Sequence, residues 1–143
     1  MLTGNAHWKR ATEKERRAVV DAFATNRRVL AVQMSDAFVG EAMGEAWGAV
    51  LATNTTLLSL NLESNSLSSG AILALSDAIK ANATLKELKL ANQHVAFSQR
   101  AEEAFASALE SNTTLVRLTI DLRSTRARAT SSTSARGGGR GRA

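Results

Sequence analysis

Residues 54–62 read Asn54-Thr55-Thr56-Leu57-Leu58-Ser59-Leu60-Asn61-Leu62. The phrase returns as Asn82-Ala83-Thr84-Leu85-Lys86-Glu87-Leu88-Lys89-Leu90 and as Asn112-Thr113-Thr114-Leu115-Val116-Arg117-Leu118-Thr119-Ile120, in steps of 28 and 30 residues. One further step of 28 backwards meets a degenerate copy: Asn26, Val29, Val32 and Met34. A fixed period in this range marks a solenoid, and Leu-x-x-Leu-x-Leu is the strand segment of a leucine-rich repeat. The expected fold is therefore α/β: a short right-handed leucine-rich-repeat solenoid of about four strand–helix units, with a parallel sheet inside and helices outside. Alternation along the strands points Leu60, Leu62, Leu88, Leu90, Leu118 and Ile120 into the core. It sends Ser59, Asn61, Glu63, Glu87, Lys89, Arg117, Thr119 and Asp121 to the concave face.

Between the strands the apolar period changes to that of a helix. Helices are predicted over 38–53, with Phe38, Ala42, Met43, Ala46, Val50 and Leu51 inward, over 69–81, and from about 97 to 111. Gly40, Gly44 and Gly48 recur every four residues in the first of these and predict tight repeat packing. Trp47 is expected to pack against a neighbouring helix. Asn26, Asn54, Asn82 and Asn112 each follow a helix and read as C-terminal caps, because asparagine tolerates the left-handed conformation that ends helices. Residues 1–25 form the N-terminal cap, with one helix over 8–25 whose Arg10, Lys14, Arg16 and Arg17 make a solvated outer face. The repeat domain spans 26–123.

Composition narrows the function classes. Aromatic residues are only 4% of the chain, so the core is aliphatic. There is no cysteine, which excludes disulfides, thiolate metal sites and a cysteine nucleophile. No apolar run approaches the ~18 residues of a membrane span, so no membrane partner is expected. The polar first fifteen residues do not read as a secretory signal, and a cytoplasmic address is expected. The Asn-x-Thr sequons at Asn54, Asn82 and Asn112 are then structural, recurring because the repeat recurs. The net charge of +5 resides in residues 123–143: Arg123, Arg126, Arg128, Arg136, Arg140 and Arg142 leave the remainder at −1. Residues 124–143 are basic, Arg/Gly/Ser-rich and too poor in apolar residues to fold alone, so they are expected to be disordered.

No catalytic constellation emerges. His7 and His94 lack companions for a metal site, and no serine stands in a nucleophile-elbow motif. The adjacent Glu102 and Glu103 read as a solvated helix face. The chain is therefore not expected to be an enzyme or to need a cofactor. Three binding functions remain open: a dedicated partner module, a generic repeat scaffold, and nucleic-acid association through the Arg/Gly tail.

The first of these gains support from a family resemblance. Residues 54–65, ending Glu63-Ser64-Asn65 and followed by Ile72-Leu73-Ala74-Leu75, resemble the C-terminal repeat domain of the tropomodulin and leiomodin family. Leu90-Ala91-Asn92-Gln93, the lengthened spacing of 30 and the degenerate first unit are similar to that family as well, over about residues 26–122. The resemblance implies a cytoskeletal actin-binding module at or near filament pointed ends. Tropomyosin binding belongs to an N-terminal half of the family that has no counterpart in this sequence, so that partner is not carried over. The contact is expected on the loops after the strands, at Ser64, Asn65, Ser66, Asn92, Gln93 and His94. Arg117, Arg123, Arg126 and Arg128, basic as in the family, would add attraction to acidic actin.

Overall fold

The computed structural model describes residues 4–123. The basic tail, with Arg126, Arg128 and the expectation of disorder, lies outside the described residues. The elements are α1 (Ala6–Arg10), α2 (Glu13–Ala22), β1 (Ala31–Gln33), α3 (Glu41–Thr53), β2 (Ser59–Asn61), α4 (Ser69–Ala81), β3 (Glu87–Lys89), α5 (Gln99–Ser111) and β4 (Arg117–Thr119). The four strands form one parallel sheet in the order β1-β2-β3-β4. Val32, Leu60, Leu88 and Leu118 stand side by side in it, so the register repeats the sequence steps of 28, 28 and 30. This is the short leucine-rich-repeat solenoid that the period predicts. The strands are shorter than the apolar pattern suggests, three residues each.

Leu60, Leu62, Leu88 and Leu90 are buried as expected. Leu118 and Ile120 are only half-buried, because no further strand follows β4 among the described residues. Trp47 is fully buried on α3 and stacks on Phe23, with ring centroids 5.4 Å apart. Gly44 and Gly48 serve the close approach of α3 to α4. A Cβ on Gly44 would collide with the Ala71 Cβ, and one on Gly48 would lie 2.9 Å from the Ala74 carbonyl. Gly40 has no such role; it precedes α3 and has open space around it.

Three expectations need correction. The N-terminal helix is two helices, because Thr12 and Glu15 form a capping box that starts α2 afresh. The Glu15 carboxylate accepts from the Thr12 N–H at 2.7 Å. That bond, and then one from the Thr12 hydroxyl, holds its pKa below the usual carboxylate value. On α2, Val20 is buried while Val19 and Ala22 are exposed. Second, α3 begins at Glu41, so Phe38 lies before it and points outwards.

Third, the recurrent asparagines are not left-handed caps. Asn54, Asn82 and Asn112 follow α3, α4 and α5 with extended backbone, at φ −76°, −68° and −85°. Their work is done by the side-chain amide. The Asn82 Oδ1 accepts from the N–H groups of Thr84 and Leu85, at 3.0 and 2.8 Å. Its Nδ2 donates back to the carbonyls of Leu51 and Asn54 in the preceding unit, at 2.8 and 3.4 Å. Asn54 and Asn112 repeat both halves of this pattern. Asn26, which opens the series, keeps the acceptor half, taking the N–H groups of Arg28 and Val29. Buried backbone groups at each turn are thus satisfied from the neighbouring turn.

Two stability predictions follow from these contacts. Asn82→Ala should lower unfolding stability by about 2–4 kcal/mol, since a buried unpaired group costs about 1–3 kcal/mol and the two well-buried short bonds, to Leu51 and from Leu85, carry most of the loss. Asn82→Asp should also destabilise, because a carboxylate cannot donate to Leu51 and Asn54; denaturant titration of both variants checks this, and a wild-type midpoint for the aspartate variant would refute the donor role. Separately, Gly48→Ala should cost about 1–3 kcal/mol through overpacking against backbone that cannot yield, read as a fall in melting temperature.

Candidate partner-binding edge

After each strand the chain turns towards the next helix, and these turns stack along one edge of the solenoid. Asp36, Ser64 and Asn92 occupy equivalent positions and share a left-handed backbone, with φ of 49°, 56° and 59°. Aspartate, serine and asparagine are short polar residues whose side chains bond locally, and aspartate and asparagine tolerate this region best. The turns are tied directly to one another. Asp36 N–H donates to the Glu63 carbonyl at 3.1 Å, Ser64 N–H to Ala91 at 3.0 Å, Ser66 N–H to Val39 at 3.0 Å and His94 N–H to Asn65 at 2.9 Å.

A second amide ladder runs beneath this edge. Asn65 is 2% exposed. Its Oδ1 accepts from the N–H groups of Ala37 and Val39, at 2.9 and 3.0 Å. Its Nδ2 donates to the carbonyls of Met34, Leu62 and Glu63. Gln93 does the same work one unit later: Oε1 accepts from Leu67 N–H at 3.0 Å, and Nε2 donates to Leu62 and Leu90. Both side chains bond internally, but Asn65 is buried whereas Gln93 is half-buried and lines the cleft at the end of the edge. That corrects the assignment of Asn65 as a contact residue. Ser66, Asn92 and His94 are exposed and Ser64 is half-buried, so these four remain available.

The arginines divide. Arg117 lies on β4 on the concave face, 3.5 Å from Glu87 in an ion pair. Glu87 also accepts from the Ser59 hydroxyl at 2.8 Å. Asn61 Nδ2 reaches Gln33 at 3.0 Å, and the Thr119 hydroxyl reaches Glu63 at 2.9 Å. The concave face is thus largely paired within itself. Arg123 instead follows β4 onto the edge, where it helps line a cleft of about 240 Å³ with His94, Val95, Phe97 and Asp121. Asp36 stands on the same edge, and so does Asp121, which was expected on the concave face, so the described part of the edge is mixed in charge. The Asp121 carboxylate accepts from Asn92 N–H at 2.8 Å.

Glu102 forms another wall of this cleft and was not expected there. It is 2% exposed, and its Oε1 accepts from Arg123 N–H at 2.8 Å. This corrects the solvated-face reading for Glu102; Glu103, half-buried, takes a bond from Gln99. A signal existed, since a step of 30 aligns Glu102 with the buried Ile72. Among the described residues no three His, Cys, Asp or Glu side chains gather as a metal site.

The described residues thus form a leucine-rich-repeat module whose strand-to-helix turns stack along one edge. The chain belongs to the tropomodulin/leiomodin family: the model of its TMOD/LMOD leucine-rich domain matches residues 5–136. It is 34% identical to tropomodulin-4 of Bos taurus over 97 residues, covering 68% of this chain and 28% of that protein. The chain thus spans under a third of that relative. Its structure resembles leiomodin-1 actin-binding site 2, with a TM-score of 0.82 and 28% identity, covering 88% of this chain and 73% of that one. The tropomodulin C-terminal domain of Caenorhabditis elegans also gives 0.82, at 22% identity over 90% of this chain and 78% of that one, which bears on the fold alone.

The Glu102 contact makes a local prediction. Glu102→Ala should leave the Arg123 amide without its acceptor and speed its hydrogen exchange, while amides in β2 stay protected. Unchanged exchange at Arg123 would show that the bond does not fasten the end of the solenoid.

Proposed function

We propose that this chain is a tropomodulin-like actin-binding module acting at filament pointed ends, and hence a component of the cytoskeleton. The observation that carries this reading is the match to leiomodin-1 actin-binding site 2 over 88% of the chain. The contact surface is the strand-to-helix edge: Ser64 and Ser66, Asn92 and His94, and Arg123 beside the cleft. Physical reasons favour the edge over the concave face. Loops on a rigid scaffold are the usual carriers of binding, and here the polar side chains of the sheet already engage one another. Arg117 stays in the proposal as a charge at the last strand, with Arg126 and Arg128 in the segment beyond. Binding, with no catalytic step, is the activity proposed, and no residue is assigned to tropomyosin or to a cofactor.

Co-sedimentation with actin filaments, together with seeded elongation measured separately at each end, tests the proposal. The expected result is co-sedimentation that weakens as salt rises, and slowed growth at the pointed end only. Arg117→Glu with Arg123→Glu should lower affinity several-fold, the scale of exposed interface charges. Absence of co-sedimentation with both ends growing normally would leave a generic repeat scaffold as the better reading.

A further inference from the structure

The first turn of the edge displays a feature that the other turns lack. Phe38 is 56% exposed and has a left-handed backbone, with φ 58°. Bulky residues rarely adopt this conformation, which glycine or asparagine would accept readily. The surroundings leave it no alternative. Its neighbours Ala37 and Val39 are buried, and the Asn65 Oδ1 holds both of their N–H groups. The Trp8 indole N–H donates to the Ala37 carbonyl at 2.7 Å, and Ser66 N–H donates to the Val39 carbonyl. With both flanks locked inward, the ring between them is presented to solvent. The Arg16 guanidinium lies 5.1 Å from the centre of the ring. It is itself fixed, its Nε donating to the Trp8 carbonyl and its Nη2 to that of Lys9.

We propose that Phe38 is the apolar anchor that seats this edge in an apolar cleft of an actin subunit. Arg16 beneath it would meet a carboxylate on the rim of that cleft. The inference rests on the actin reading above and adds a residue which that reading does not contain. Three observations support it. Phe38, Ser66 and His94 hold equivalent places in consecutive turns tied by hydrogen bonds; a partner on the latter two therefore lies beside the first. A backbone strained yet held from several sides is the pattern of functional sites. Aromatic and arginine side chains presented rigidly are the residue types that dominate interface energetics. Val95, 47% exposed in the third turn, extends the apolar character to the other end of the edge.

Phe38→Gly separates an anchor from a structural ring. Glycine removes the ring and relieves the backbone, so the unfolding midpoint should hold or rise while actin affinity falls at least about tenfold, the loss expected of an interface hot spot. A ring needed only to cover Arg16 and Trp8 predicts the reverse: a lower midpoint and unchanged binding. Phe38→Asn, also at home in the left-handed region, serves as the second variant should glycine unfold the turn, with circular dichroism reporting the fold of each. If the unmodified chain binds filaments and both variants bind as well, the anchor is overturned and the actin reading stands. If both variants lose their fold, the ring is structural and the anchor is equally overturned. If the unmodified chain does not bind, the actin reading falls and the anchor with it.

Discussion

The structure depends on a side-chain amide that both donates and accepts. At each turn from helix to strand the chain buries backbone groups that no sheet or helix bond reaches, and an unpaired buried group is costly. An amide solves this from one position. Its oxygen closes its own turn, as Asn82 does on Thr84 and Leu85, and its nitrogen bridges to the turn before, as Asn82 does to Leu51 and Asn54. A hydroxyl is too short to span both sides and a carboxylate has nothing to donate. The leucines supply burial, which tolerates variation in shape. The amides supply register, which does not. This explains why asparagine recurs without substitution at 54, 82 and 112 while Leu-x-x-Leu-x-Leu slackens to Val29, Val32 and Met34 in the first unit.

The second ladder follows the same logic with more freedom. Asn65 and Gln93 differ by a methylene, yet each accepts from the turn before it and donates to the carbonyls that directly follow two neighbouring strands. The turn at Gln93 leads into the unit lengthened to 30 residues, where the cleft beside Arg123 opens. The extra residues therefore leave the sheet untouched, since Leu88 still pairs with Leu118. They act on the edge alone.

What could be read from sequence divides along the same line. Period, sheet register and the inward leucines were legible because burial repeats with the chain and because strand alternation is a property of the backbone. The edge was legible as a place, and Ser64, Ser66, Asn92 and His94 do lie together on it. The roles of individual residues were less so. Asn65 and Gln93 looked like surface polar residues because their partners are backbone atoms from other turns, which no local pattern reveals. Glu102 hid for the converse reason: a carboxylate in a helix reads as solvated until the N–H it serves, 21 residues on, is placed. The break between α1 and α2 was available as Thr12-x-x-Glu15 but was masked by good helix formers on both sides. Phe38 was missed because an apolar residue four positions before Ala42 continues a helical stripe, and only the locked turn excludes it.

That turn shows how the two ladders and the binding edge constrain one another. The oxygen of Asn65 comes from the next unit, yet by holding the amides at 37 and 39 it decides where the Phe38 ring must go. A residue can therefore govern an interface without belonging to it. Replacing Asn65 would disturb folding and presentation together, so its loss would say little about either. Phe38 stands at the opposite extreme, with much of its surface in solvent and its backbone in a conformation that a smaller residue would hold with less strain. Conformational strain and solvent exposure both work against such a residue in the isolated domain. Within the domain, its contact with Arg16 works in its favour. Exposed cation–π contacts contribute about 0.5–1 kcal/mol, whereas a strained left-handed residue costs about 1–3 kcal/mol. The strain outweighs that one contact, and a partner that covered the ring would add a further term in its favour.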